Sequence, residues 1–320
     1  MATLNANAAE VLALMEGAGQ PPLESLAPND ARTAIAQGLG ALQGEPLAVG
    51  DVTTATASCE QGNIPLRIYR PQAAIAEPTP AIVFFHGGGF VLGDLELYDC
   101  ICRRLCAASQ TAVISVDYRL APEHPFPAAV EDAESALRWI AGEATRLGIR
   151  ADALCVAGDS AGANIATVAA QTLKHDATVN IAHQLLLYPV TDLSRESESY
   201  ARNGEGYFLT VELMRYFRDH YLADPQHAAD ERASPLLAGS LAGQPDATVV
   251  VCGFDPLVDE GVAYAEALRA AGVATELLTI DDQIHGYLLM DGAIPEAAEL
   301  IDRVGGIVQR AIGGREAEAT

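Results

Sequence analysis

The chain has 320 residues, half of them hydrophobic, and sets 19 Lys and Arg against 43 Asp and Glu, a net charge of −24. That length allows one large α/β domain or two small ones around a sizeable core. That charge repels nucleic acid and anionic lipid, so neither is expected as a partner. No run reaches the roughly 20 apolar residues of a membrane span. The first basic residue is Arg32, and Glu10 and Glu16 interrupt the apolar stretch before it, so no secretion signal is read. Six cysteines lack the paired spacing of a zinc site and read as structural thiols of a reducing compartment, which predicts a cytoplasmic protein with no metal.

Residues 1–45 carry two helical stripes, one with Val11, Leu12, Leu14 and Met15, the other with Ala34, Ile35, Leu39 and Leu42. Without a strand between them they must pack on something else. From Val52 the pattern turns to strands. Residues 52–58 and 64–69 form a pair joined at Gln61-Gly62-Asn63. Short apolar runs follow at 81–85, 112–116, 154–157, 184–188, 248–252 and 275–280. Helical stretches at 98–109, 128–147, 161–174, 260–271 and 296–312 separate most of them. Eight strands with this alternation predict a mostly parallel sheet, antiparallel at its start and covered by helices on both faces. Residues 313–320 read as a polar tail. The long stretch between the strands at 184–188 and 248–252 holds Tyr207, Phe208, Met214, Tyr216, Phe217 and Tyr221. It is too long for a simple connection. It is expected to join the N-terminal helices as a cap over the carboxyl edge of the sheet, where doubly wound folds bind ligands. The division is then 1–45 and 190–230 for the cap, and 46–189 and 231–320 for the core.

Gly158-Asp159-Ser160-Ala161-Gly162 sits between the strand at 154–157 and the helix at 161–174. Gly-x-Ser-x-Gly in a strand–turn–helix context exposes the serine on a strained turn, with a helix N-terminus behind it. The motif alone is modest evidence, so its partners matter. A serine nucleophile needs a histidine base and an acid to orient it. His285 follows the final strand beside Gly286, where its imidazole can reach the nucleophile. The other downstream histidines, His175, His183, His220 and His227, fall on helix surfaces, at strand starts or in the insertion. Asp255 ends the preceding strand ahead of Pro256. Asp259 competes with it but reads as a first-turn residue of the next helix. His86-Gly87-Gly88-Gly89 follows the strand at 81–85. A run of three glycines leaves backbone amides uncovered, and an oxyanion is a suitable object for them. Gly88, Gly89 and Ala161 are the expected donors, with His86 anchoring the loop. A phosphate-cradling loop is the competing reading, and it lacks a Gly-Lys-Ser/Thr continuation.

These motifs resemble the bacterial hormone-sensitive-lipase-like esterases of the α/β-hydrolase fold. The resemblance rests on His-Gly-Gly-Gly-Phe at 86–90, Asp-Tyr-Arg-Leu-Ala-Pro-Glu-His-Pro-Phe-Pro-Ala at 117–128 and Gly-Asp-Ser-Ala-Gly at 158–162. Ala-Ser-Pro-Leu at 233–236, Asp-Pro-Leu-x-Asp at 255–259 and His-Gly-Tyr at 285–287 complete it, in family order from about 50 to 310. Tyr287 departs from the phenylalanine many members carry. The resemblance implies an eight-stranded sheet with a helical cap and hydrolysis of short- to medium-chain acyl esters, with no metal or organic cofactor. Phe90, Tyr207, Phe208, Met214 and Phe217 are the candidates for the acyl pocket, against packing within the cap. Arg119, Glu123 and His124 read as structural. The same triad would serve an amidase, a lactonase or a specialised deacetylase. A non-catalytic ligand-binding protein on this fold would be expected to have lost the serine or histidine. A homodimer through the unpaired last strand is a further expectation.

Overall fold

A computed structural model describes residues 2–60, 62–72 and 78–313. Gln61 of the expected hairpin turn and the tail beyond Gly313 lie outside the described residues. In chain order come α1 (Ala6–Gly17), α2 (Pro28–Gly40), β1 (Asp51–Cys59), β2 (Gly62–Arg70), β3 (Thr79–Phe85), α3 (Asp99–Ser109) and β4 (Ala112–Val116). Then follow α4 (Ala128–Gly142), β5 (Ile149–Asp159), α5 (Ala161–Leu173), β6 (Ile181–Leu187), α6 (Glu198–Asn203) and α7 (Val211–Tyr221). The chain continues through β7 (Asp246–Phe254), α8 (Val258–Ala270), β8 (Thr275–Ile284) and α9 (Glu296–Gly313). The eight strands form one sheet in the order β1-β2-β4-β3-β5-β6-β7-β8. β1 and β2 enter antiparallel, and every pair from β4 to β8 is parallel.

The central strands are apolar throughout because both faces are covered. Alternate residues serve separate cores. Val83, Phe85, Val156, Val249 and Val251 join one with α4, α5 and α8, while Ile82, Phe84, Cys155, Val250 and Cys252 join another with α3 and α9. Burying a side chain such as Phe84 or Phe85 contributes roughly 1.5–3 kcal/mol. Several elements run longer or shorter than the sequence pattern suggests, α4, β5 and β8 among them. α4 stops at Gly142, and turns carry the chain to Ile149. β5 begins at Ile149, where a register shift lets the exposed Ala151 and Asp152 interrupt the apolar alternation. β8 continues through Asp281 and Asp282 to Ile284, since an edge strand can leave charged side chains in water.

The N-terminal helices are strapped to the far end of the chain. Asn5 N–H donates to the Asp282 carbonyl at 2.8 Å, Asn5 and Asn7 side chains donate to Glu296, and Gly292 N–H donates to the Leu42 carbonyl. Arg32 of α2 reaches the opposite side. It donates to the carbonyls of Val91 and Ala121 at 2.8 Å each and pairs with Glu123 at 2.6 Å. Among the described residues, no helix is long and apolar enough to cross a membrane.

Candidate active site

Ser160 stands between β5 and α5 with φ 54° and ψ −119°. A side chain in that region is strained, and the neighbours must make room for it. A methyl on Gly158 would stand 2.5 Å from the Phe85 carbonyl oxygen, and one on Gly162 2.6 Å from that of His86. Ser160 N–H donates to the Leu187 carbonyl at 2.8 Å, which fastens the turn to β6. The hydroxyl makes no capping bond to α5 and is left for other work.

Asp255 and His285 come to that hydroxyl from the ends of β7 and β8. His285 Nδ1 lies 2.7 Å from Asp255 Oδ2, and His285 Nε2 lies 2.9 Å from Ser160 Oγ. An ionised carboxylate only accepts, so Nδ1 carries the hydrogen and Nε2 accepts from the serine hydroxyl. All three are buried, Asp255 completely. Asp255 is fixed further by Leu257 N–H on its Oδ1 at 2.8 Å. Asn203 of α6 donates to the Asp255 and Gly253 carbonyls. The competitor Asp259 is engaged elsewhere, accepting from Ser199 N–H and pairing with Arg202 at 2.5 Å.

The glycines at 87–89 are there for different reasons. Gly88 and Gly89 have φ of 109° and 61°, a region that favours glycine. Gly87 faces Asp159 and Tyr98: a methyl there would stand 2.5 Å from Asp159 Oδ2 and 2.8 Å from the Tyr98 hydroxyl. Its N–H donates to Asp159 Oδ1 at 2.7 Å. Among the described residues, the N–H groups of Gly88 and Gly89 donate to no carbonyl or side chain. His86 is fully buried, with Nδ1 2.8 Å from the Gly87 carbonyl and its ring stacked on Tyr118. Burial pushes its pKa down to about 4, so it stays neutral beneath the loop.

A cavity with about 540 Å³ of empty space, part of it open to solvent, lies over Ser160 and His285. Gly88, Gly89 and Asp159 line its floor beside them, and Leu23, Ile35, Leu39, Leu92, Leu97 and Leu289 are among its apolar walls. Phe208 and Phe217 also line it. The other three aromatic and Met candidates do not. Phe90, at φ 64°, turns into a stack on Tyr221 with ring centroids 3.7 Å apart. Tyr207 packs on Phe254 at 5.1 Å, and Met214 is buried among the core side chains under α7. The sequence marked these side chains as pocket candidates but not which of them met the cavity. Arg119 grips the buried Asp132 with bonds of 2.7–3.0 Å, while Glu123 pairs with Arg32 across the chain.

Sequence reasoning passed over several buried polar groups here. Asp159 is 2 % exposed, and burial pushes its carboxyl up to about 6, against the Gly87 N–H, His285 and the Tyr98 hydroxyl. Glu260 accepts from Thr191 and Asp192 N–H on the chain after β6, and burial pushes it up to about 8. The Tyr188 ring lies 4.6 Å from that of His285. The signal for Asp159 was present, a charged residue inside a motif of small ones. Glu260 sits on a helix whose pattern does not distinguish it. Among the described residues, no group of three or more His, Cys, Asp or Glu could hold a metal ion.

A model of the alpha/beta hydrolase fold family matches residues 82–289, more than half of the chain. The carboxylic ester hydrolase LipN of Mycobacterium tuberculosis is 45 % identical over 244 residues, covering 74 % of this chain and 64 % of that one. The ethyl acetate hydrolase of Pseudomonas putida is 36 % identical over 306 residues, covering 93 % and 96 %. The chain belongs to the α/β-hydrolase fold family. Within it, its relatives place it with the bacterial hormone-sensitive-lipase-like carboxylesterases. Solved structures agree along nearly the whole length. An ester-hydrolase from the metagenome of Lake Arreo, complexed with a bipyridine phosphonate derivative, superposes with a TM-score of 0.94 at 37 % identity, covering 97 % of this chain and 100 % of that one. A thermostable esterase from Pseudomonas putida gives 0.93 at 34 %, covering 98 % of each.

Proposed function

We propose that this carboxylesterase hydrolyses short- to medium-chain acyl esters by two-step acyl transfer through Ser160, His285 and Asp255. The observation that carries the reading is the hydrogen-bonded line from Asp255 through His285 to the Ser160 hydroxyl, opening into an apolar cavity. Ser160 Oγ attacks the ester carbonyl and passes its proton to His285 Nε2. Asp255 holds the imidazole in the required tautomer and stabilises the imidazolium. The N–H groups of Gly88, Gly89 and Ala161 take the oxyanion. The intermediate collapses, His285 protonates the departing alcohol, and water repeats the cycle to release the acid. The cavity lies directly over Ser160 and His285. Its apolar walls suit an acyl chain rather than a charged one. The helices at 1–45 and 190–230 act as the cap that closes it. Six free thiols fit a reducing, cytoplasmic setting. Homodimerisation through the β8 edge belongs to the same reading, and solution mass would test it.

The test is hydrolysis of p-nitrophenyl esters from acetate to palmitate, with Ser160→Ala alongside. A rate that peaks at short or medium chains and falls roughly 10⁴-fold in the variant is expected. A variant with near wild-type turnover would remove Ser160 from the mechanism. Phe217→Ala should move the optimum to longer chains, and an unchanged profile would return Phe217 to cap packing.

A further inference from the structure

The motif position between Gly158 and Ser160 has no role in the steps above, yet its side chain is aimed at them. Asp159 ends β5 with its carboxylate buried under the loop that follows β3. One oxygen accepts from Gly87 N–H at 2.7 Å, and the other accepts from the Tyr98 hydroxyl at 3.1 Å. Tyr98 is itself buried, at the start of α3. A carboxylate held away from water is costly unless donors meet both oxygens. Here both donors come from the one connection that leads from β3 to α3 at the sheet's carboxyl edge. Gly87 has no room for a side chain because this contact occupies the space. The bond to Gly87 therefore fixes the peptide immediately before the two proposed oxyanion donors.

We infer that Asp159 is a positioning residue: it grips Gly87 N–H so that Gly88 and Gly89 N–H face the oxyanion over Ser160. This rests on the mechanism proposed above. The nucleophile motif and the His-Gly-Gly-Gly loop are then one device, joined through a side chain rather than only through neighbouring strands. The glycine run divides accordingly, with Gly87 turned to the carboxylate and the next two to the substrate. Donors preorganised in this way cost nothing to align at the moment of reaction, which is the source of their effect on turnover.

The experiment compares Asp159→Ala, Asp159→Asn and Ser160→Ala on p-nitrophenyl acetate, with the inhibition constant of a trifluoromethyl ketone, which forms a tetrahedral adduct on the serine. Asp159→Ala should lose about 10²-fold in kcat with KM within about threefold, the scale of one displaced oxyanion donor. Its inhibition constant should rise by a similar factor. Asp159→Asn keeps an acceptor for Gly87 N–H and should recover most of the loss. The inference is overturned if Asp159→Ala turns over within threefold of wild type, if only KM changes, if the inhibitor binds as before, or if Asn is no better than Ala. Should Asp159→Ala lack a cooperative melt, Tyr98→Phe carries the test. It removes one donor to the carboxylate and should cost about 3–10-fold in kcat and inhibitor affinity together; no change in either overturns the inference. If Ser160→Ala stays active, the underlying mechanism has failed. If Ser160→Ala is inactive while Asp159→Ala is normal, only the positioning role has failed.

Discussion

Replacing Gly162 by alanine tests how tightly the serine turn is packed. Gly162 lies in the first turn of α5, pressed on the end of β3. An added methyl would stand 2.6 Å from the His86 carbonyl oxygen and closer still to that of Phe85. Both obstacles are backbone, so no side chain can rotate away. Ordinary contact begins near 3.5 Å, so α5 or the end of β3 must move by roughly 1.5 Å to clear the nearer Phe85 oxygen. Overpacking of this kind costs about 1–3 kcal/mol or more. The same shift would separate Ser160 Oγ from His285 Nε2, now 2.9 Å apart, and turn the Ala161 N–H. A misplacement of about 1 Å in reacting groups costs on the order of 10²-fold. Gly162→Ala should therefore lose about 10²-fold in kcat on p-nitrophenyl acetate and melt several degrees lower by circular dichroism. Gly38→Ala is the paired control. Gly38 is exposed in α2 with nothing within 4 Å of a methyl. It should keep full activity and gain roughly 0.5–1 kcal/mol from helix propensity. Gly162→Ala with a melting point within 2 °C and kcat within threefold of wild type would refute the packing account.

Asp255→Asn should lose about 10⁴-fold in kcat by favouring the wrong histidine tautomer, with little change in fold; a loss under tenfold would detach Asp255 from the chemistry. Arg32→Ala removes donors from the Val91 and Ala121 carbonyls and loosens α2, whose Ile35 and Leu39 line the cavity. A rise in KM of about 3–10-fold and a stability loss of about 1–2 kcal/mol are expected in steady-state kinetics and melts. Lysine should not rescue it, lacking the planar fork. Unchanged KM and melting point would show that Arg32 does not hold the helix. Burial raises the Glu260 carboxyl from its ordinary 4.5 to about 8. A raised folded pKa gives stability that is fully present below the unfolded value and lost as pH rises through the folded one, here between about 4.5 and 8. Glu260→Gln should flatten the fall in melting temperature between pH 5 and 9; parallel curves for variant and wild type would sink the assignment.

The alternation of apolar runs and helical stripes determined the sheet, its antiparallel entry and its layers, because burial on both faces demands near-continuous apolar strands. Local spacing also determined the candidate trio. Ser160, Asp255 and His285 each follow a strand, and a parallel sheet carries those ends to one edge. What spacing could not supply was which side chains meet across the fold. Phe90, Tyr207 and Met214 offer large side chains to a pocket wall as Phe208 and Phe217 do, yet packing against Tyr221, Phe254 and the core under α7 keeps them from the cavity. Glu123 reads as part of a local loop, but its partner Arg32 comes from α2. The Gly87–Asp159 bond likewise joins residues far apart in sequence. Whether a polar group is buried, and what it touches there, depends on contacts made only when distant segments pack, so tertiary structure alone decided the walls of the cavity and the partners beneath its floor.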